Sequence, residues 1–232
     1  MKLSEAVRGV SGTLAADGEF SCIAFATEQE QSQFLTFLEK EKFLPALDNS
    51  KISCVLTTSA LAEKIPPHIK GVFLCDRPKA ALFEIHNRLA RHPDYVGASA
   101  ATVVGGGGSI RPLAAIDREN VVIGDRVTIE PFVVIKGRVI IGNDVTIRSG
   151  AVIGCKGFSF SKDAQGQNVS VEDTARIIIE DHVEIFEQVA ISTGIFPWEE
   201  TRIGENTKVD AQCHIGHGAH IGRNCLLAEG SR

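Results

Sequence analysis

Three histidines crowd into seven residues near the end of the chain, in VDAQCHIGHGAHIG: His214, His217 and His220, with Asp210 just ahead of them. Neutral imidazole accepts a proton near pH 7, so such a side chain can serve as a general base for an attacking amine. The plainer alternative is that each is a solvated turn residue, and spacing alone leaves both readings open. Six cysteines, Cys22, Cys54, Cys75, Cys155, Cys213 and Cys225, form no CxxC pair. The opening MKLSEAVRGVSG lacks the apolar run of a signal peptide. The thiols therefore read as reduced and mostly buried, in a cytoplasmic protein. A net charge of -5 argues against a nucleic-acid partner, and no stretch approaches the length of a membrane span.

The elements that must position these groups follow from a period of six. Aliphatic residues stand at Ile123, Ile129, Ile135, Ile141, Ile147 and Ile153, and again at Ile179, Ile185, Ile191, Ile203, Val209, Ile215, Ile221 and Leu227. Fourteen of the fifteen slots in these two registers are aliphatic, which chance does not produce; Pro197 takes the odd one. Ile110 and Ile116 form an earlier pair, one residue out of phase. Small or branched residues follow four places later at Val127, Val133, Val139, Val145 and Ala151. Period six fits neither an α-helix nor a hairpin array. It fits a short strand and a tight turn, three times per coil. Each aliphatic residue then stacks inward on its equivalent about 18 residues later, burying a continuous solenoid core. The expected fold is a left-handed parallel β-helix over 110–232, preceded by a small mixed α/β domain.

Within this frame His182 lies two coils below the histidine cluster, but His182 and His217 occupy different places in their hexads. They should not converge, so no metal site is expected. The polar run CKGFSFSKDAQGQNVSVEDT, at about 155–174, should loop out of the coil, and GIFPWEE carries the only tryptophan, Trp198, as a loop-packing or oligomer-contact residue. Residues 1–97 lack the period. There KISCVLTT and KGVFLCD read as strands, and a helix with Asp76 as its cap and Pro78 in its first turn should run to about Arg91, burying Leu82, Ile85 and Leu89. The four glycines Gly105 to Gly108 have no Gly-Lys-Ser/Thr after them, so 98–109 reads as a flexible linker, not a phosphate loop.

Both halves resemble the UDP-3-O-acylglucosamine N-acyltransferases of lipid A biosynthesis. The resemblance rests on FLTFLEKEKF, SALAEKIPP and GVFLCDRPKAALFEIHNRL in the first half. In the second it rests on AVIGCKGFSF, ARIIIEDHVEI and VDAQCHIGHGAHIG. It implies transfer of a 3-hydroxyacyl group from the phosphopantetheine thioester of acyl carrier protein to the amine of a UDP-linked glucosamine, with no bound cofactor. It places the catalytic base on His217 and its orienting carboxylate on Asp210, in a homotrimer whose sites lie between adjacent β-helices.

By the same resemblance Phe37 would stack on the uracil ring. Lys40 stands in place of an asparagine and Phe43 in place of a tyrosine, so the amide's paired donor and acceptor and one hydroxyl are lost. Lys156 replaces an aspartate, Phe158 and Phe160 keep an aromatic pattern, and Ser192 and Thr193 replace an Asp-Arg pair. The family continues with further coils and a helical basic tail beyond the equivalent of Arg232, and it binds the oxyanion one coil above the histidine. Two other expectations stay beside this one: a non-catalytic or truncated binding scaffold of the same fold, and a sugar acetyltransferase with coenzyme A as donor.

Overall fold

The computed structural model describes residues 1–163 and 165–231, which divide into two compact units. One comprises Met1–Tyr95 with Ser159–Glu172, the other Val96–Phe158 with Asp173–Arg232. Among the described residues no helix is long and apolar enough to cross a membrane.

In the first unit five strands lie in the order β1-β5-β4-β3-β2. They are β1 (Thr13–Ala16), β2 (Cys22–Ile23), β3 (Phe34–Leu38), β4 (Ile52–Thr57) and β5 (Gly71–Leu74). β2, β3, β4 and β5 run parallel, and β1 closes the edge antiparallel to β5. The two expected strands are β4 and β5. Helix α1 spans Leu3–Ala6 and α2 spans Pro78–Leu89, with Leu82, Ile85 and Leu89 buried as their spacing requires. Asp76 is not its cap. Arg77 occupies that position, and the Glu39 carboxylate at the end of β3 accepts the Lys79 N–H at 3.0 Å instead. The helix stops two residues before the expected Arg91.

The polar run after Cys155 is not a plain loop. Phe160–Lys162 and Asn168–Ser170 pair as an antiparallel hairpin, which clusters with the N-terminal sheet. Arg77 donates to the carbonyls of Lys162 and Asp163. Asn87 donates to the Ser170 carbonyl and accepts from the Glu172 N–H. His86, fully buried on α2, donates from Nε2 to the Glu172 carbonyl at 2.8 Å. A carbonyl only accepts, so Nδ1 is the unprotonated nitrogen and accepts the Tyr95 hydroxyl at 3.1 Å.

In the second unit the hexads form three parallel sheets of six, five and six short strands. Regular coils repeat every 18 residues, as in Val134 beside Val152 and Ile129 beside Ile147. This is the left-handed parallel β-helix. Val121 through Ile215 contribute one continuous core of inward residues. Each corner needs one residue with positive φ, and Asn120, Arg126, Phe132, Arg138 and Asp144 supply it six residues apart, with Gly150 next. For a non-glycine residue the left-handed conformation costs about 1–2 kcal/mol. Burial of an inward isoleucine, about 1.5–3 kcal/mol, offsets it at each arm.

Two features differ from the sequence expectation. Residues 98–109 are not a linker: Val103–Val104 pairs with Val122 and Ile123, and Ser109–Ile110 with Thr128 and Ile129, as the first coil. Two of its glycines, Gly105 and Gly108, serve close backbone approach. A Cβ on Gly108 would lie 2.3 Å from the Val127 carbonyl oxygen, and one on Gly105 would lie 2.5 Å from that of Gly124. The phase slip at Ile110 and Ile116 is one extra residue in this coil. Pro197 fills no strand slot either, because Ile191 stacks directly on Ile215 and Ile179 on Ile203. The segment around Pro197 is a six-residue insertion into a regular coil. In it Trp198 stacks on Phe196 at 6.0 Å, and Glu199 accepts the Ile195 and Phe196 N–H groups.

Burial lowers the pKa of His86 below its ordinary value, so it is held neutral in the fold. The unfolded chain takes up that proton from about pH 6.5 downward, while the folded chain resists it. Stability of the first unit is thus full above about pH 6.5 and declines as pH drops toward the lowered folded pKa. Urea melts monitored on this unit between pH 7.5 and 5.5 should show the midpoint falling, with a smaller fall in His86→Gln. An equal fall in both would contradict this origin.

Candidate functional site

His220, paired beside Arg202, opens one coil, and His214 and His217 lie on the coil before it, which runs from Glu200 to His217. Its inward corner residues are no longer valines but Thr201, Thr207 and Cys213, all buried. A buried hydroxyl or thiol must find a partner. Thr201 Oγ1 donates to the Ser192 carbonyl at 2.9 Å, Thr207 Oγ1 to that of Gly222 at 2.7 Å, and Cys213 Sγ to that of Ala228 at 3.0 Å. The corners here are fastened by polar side chains as well as by packing.

His217 occupies the second position of the turn Gly216–Ala219, closed by the Ala219 N–H on the Gly216 carbonyl. Gly218 follows at φ 69°, the third-position conformation that such a turn demands and glycine adopts freely. The Gly218 N–H donates to Thr201 Oγ1 at 3.0 Å, so the backbone beneath His217 is tied to the buried threonine. The imidazole itself is exposed and makes no hydrogen bond or ion pair among the described residues. Asp210 is also exposed, at the preceding corner, where its Oδ1 accepts the N–H of Ala211 at 2.8 Å. No hydrogen bond joins Asp210 to His217 among the described residues. They occupy successive corners, each following a strand of a different sheet.

The other two histidines have partners. His220 Nε2 lies 3.2 Å from the Glu200 carbonyl, and His214 Nε2 lies 3.0 Å from Ser192 Oγ. Ser192 is buried. Its neighbour Thr193 donates from both N and Oγ1 to the Cys155 carbonyl. Sequence reasoning singled out neither Ser192 as a histidine partner nor Thr201 as the anchor of the His217 turn. A threonine in a slot otherwise held by valine was the available signal for Thr201. On the outer face of the sheet through Arg202, the guanidinium of Arg202 holds the Glu180 and Glu200 carboxyls below their ordinary range. His182 lies 3.9 Å from Asp144. Among the described residues no group of three His, Cys, Asp or Glu side chains could hold a metal ion.

In the first unit, Phe37 is half-buried and meets Phe25 edge-on at 6.4 Å. Lys40 is exposed immediately before the 3₁₀ turn Glu41–Asp48, and Phe43 within that turn is 55% exposed beneath the Lys42 ammonium. The three share one stretch of chain, from β3 into the turn. This unit also contains a cavity of about 390 Å³, lined by Cys75, Arg77, Phe83, Asn87, Lys162 and Val169 among others. Phe37, Lys40 and Phe43 do not line it. Phe158 belongs to the other unit and is 95% exposed.

Residues 120–155 and 200–232 match the bacterial transferase hexapeptide (six repeats) model. Over 89 residues the chain is 46% identical to a UDP-3-O-acylglucosamine N-acyltransferase of a Bradyrhizobium species, a stretch that is 38% of this chain and 24% of that protein. It is 42% identical over 86 residues to the protein of the same name in Rhizobium meliloti, covering 37% of this chain and 24% of the relative. The chain thus spans about a quarter of the length of these curated relatives. Among solved structures, the UDP-N-acetylglucosamine acyltransferase of Francisella novicida aligns with a TM-score of 0.41 and 26% identity, over 53% of this chain and 45% of that one.

Thr201→Val keeps the shape of the buried corner and removes both the acceptor for Gly218 and the donor for Ser192. It should cost about 1–3 kcal/mol of stability and strip hydrogen-exchange protection from the Gly218 amide. Unchanged protection at Gly218 would show that Thr201 does not hold the turn.

Proposed function

We propose that this chain carries the acyl-transfer part of an N-acyltransferase that moves an acyl group from a thioester to the amine of a UDP-linked aminosugar. The observation that carries this reading is the 46% identity to a UDP-3-O-acylglucosamine N-acyltransferase. The exposed imidazole of His217, on a corner whose backbone is anchored from below, supports it. In this reading the sugar amine attacks the thioester carbonyl carbon and a C–N bond forms. Neutral His217 takes the proton that the amine must lose, the C–S bond breaks, and the departing thiolate receives a proton from the imidazolium. Asp210 would orient the ring and stabilise its charged form. Since these two side chains are not joined within one chain, the pairing would require a turn of side-chain rotamers or an assembled trimer with the site between β-helices.

Phe37, Lys40 and Phe43 would receive the nucleotide. Phe37 keeps a stacking face, and Lys40 offers a cation suited to phosphate more than to a base edge. Phe158, its ring almost wholly exposed, would meet substrate or a neighbouring protomer. The donor is acyl carrier protein or coenzyme A. Coenzyme A is the second reading, because it presents the same phosphopantetheine thioester to the site.

The reading is tested by acyl transfer to a UDP-aminosugar with 3-hydroxyacyl carrier protein and acetyl-coenzyme A offered in parallel. His217→Ala should lower kcat/KM by about 10²- to 10⁴-fold, and Asp210→Asn by less. Equal rates for wild type and His217→Ala would refute the assignment. The faster donor separates the two readings.

A further inference from the structure

On the sheet that carries His214, the regular alternation of inward and outward residues fails at one place. Ile153 pairs with Ile191, but Ser192 then faces Cys155 and not Gly154. Two residues on one strand oppose one on the next, a β-bulge, and Gly154 takes up the extra length at φ 87°. The bulge turns the Cys155 side chain toward its neighbour. Its Sγ lies 3.3 Å from Ser192 Oγ, which in turn lies 3.0 Å from His214 Nε2. A thiol, a buried hydroxyl and an exposed imidazole are thereby joined across three adjacent coils.

The other thiols end differently. Cys213 donates to the Ala228 carbonyl, Cys225 lies 3.7 Å from that of Arg223, and Cys54 lies 3.6 Å from that of Glu19 and 3.9 Å from Ser53 Oγ, whose other partner is the Phe34 carbonyl. A carbonyl cannot pass a proton on. Burial also pushes the thiols of Cys22 and Cys54 up to about 11. Among the described residues, Cys155 is the cysteine whose hydrogen-bond partner leads on to a base. It is also partly exposed, and its carbonyl is pinned by Thr193, so the thiol is both accessible and held in place. Ser192, 97% shielded from solvent at 3% exposure, has its oxygen committed to these two partners.

We propose that Cys155 is an acyl-accepting nucleophile for thioesters, deprotonated through Ser192 by His214. The thiol proton passes to Ser192 Oγ as the Ser192 proton passes to His214 Nε2. The thiolate attacks the carbonyl carbon of the donor thioester, and the donor's C–S bond breaks. The departing thiolate takes the proton from the His214 imidazolium, leaving an acyl group on Cys155 Sγ. One thioester replaces another, so no oxidant, reductant or further reactant is needed. The inference rests on the thioester donor of the proposed function, but on a different histidine.

The test uses the full chain and acetyl-coenzyme A, with no sugar present. After acid quench, digestion and mass spectrometry, acetyl should be found on Cys155 in preference to Cys22 and Cys225. Labelling should fall at least tenfold in Ser192→Ala and in His214→Gln, and vanish in Cys155→Ala. His214 is exposed, so His214→Gln should fold normally even where the buried Ser192→Ala does not. Labelling should persist in His217→Ala, which separates this site from the base of amine transfer. No acetyl on Cys155, equal labelling of Cys22 and Cys225, or labelling indifferent to His214→Gln would each overturn the proposal. Transfer to a UDP-aminosugar without labelling of Cys155 would sink this inference and leave the proposed function standing. Labelling of Cys155 without any transfer would do the reverse.

Discussion

Ile129, Ile147, Ile185 and Val209 lie one above another on the inner face of one sheet, each fully buried. The same contact recurs on the other two sheets, and every other feature of the second unit hangs on it. An inward side chain can only meet its equivalent if the chain returns after a fixed length. That length sets the turn, and the turn sets the conformation of one residue at each corner. The cost of left-handed residues such as Phe132 and Arg138 is therefore a consequence of the stack. So is the freedom of the outward positions, which carry ion pairs such as Glu184–Lys208 and Glu200–Arg202, apolar residues such as Val134 and Val152, and the histidines near the last corners.

The stack also explains how the chain tolerates its insertions. The path from Ile147 to Ile185 is twenty residues longer than a regular coil, yet Ile147 and Ile185 pair directly. An excursion that leaves and rejoins at a corner leaves the inward register unchanged. The hairpin Phe160–Ser170 is one such excursion, and the Phe196–Trp198 segment is a shorter one. Outward neighbours are changed more than the core is. Cys155, Ser192 and His214 are brought together across both insertions, and their contact also depends on the bulge at Gly154.

This division decides what the sequence discloses. The hexads from Ile123 to Leu227 are legible because inward burial imposes one residue class at one spacing. The first coil was harder to see, because four adjacent glycines have the composition of a linker. Gly105 and Gly108 are there because neighbouring backbone approaches too closely for a Cβ, and Gly107 because the chain there turns at φ 71°. The hairpin reads as a polar loop because neither face of its two short strands is continuously apolar. Only Asp163 and Gly166, between two alternating runs, mark its turn. His217 is found through its neighbours in sequence, whereas Ser192 and His214 meet through register, which a one-dimensional spacing does not report. Asp210 and His217 show the converse: seven residues apart, they look like partners, but each follows a strand of a different sheet.

The claim that the inward stack governs the unit has a direct measurement in native-state hydrogen exchange. Each coil contributes one strand to all three sheets, so a sheet cannot open without breaking every coil. Amides should therefore lose protection in groups of one coil. His214 and Ile215 should open with Arg202 and Val209, and Ile129 with Ile123 and Ile135. A single sheet exchanging as a block while the other two stay protected would contradict the account.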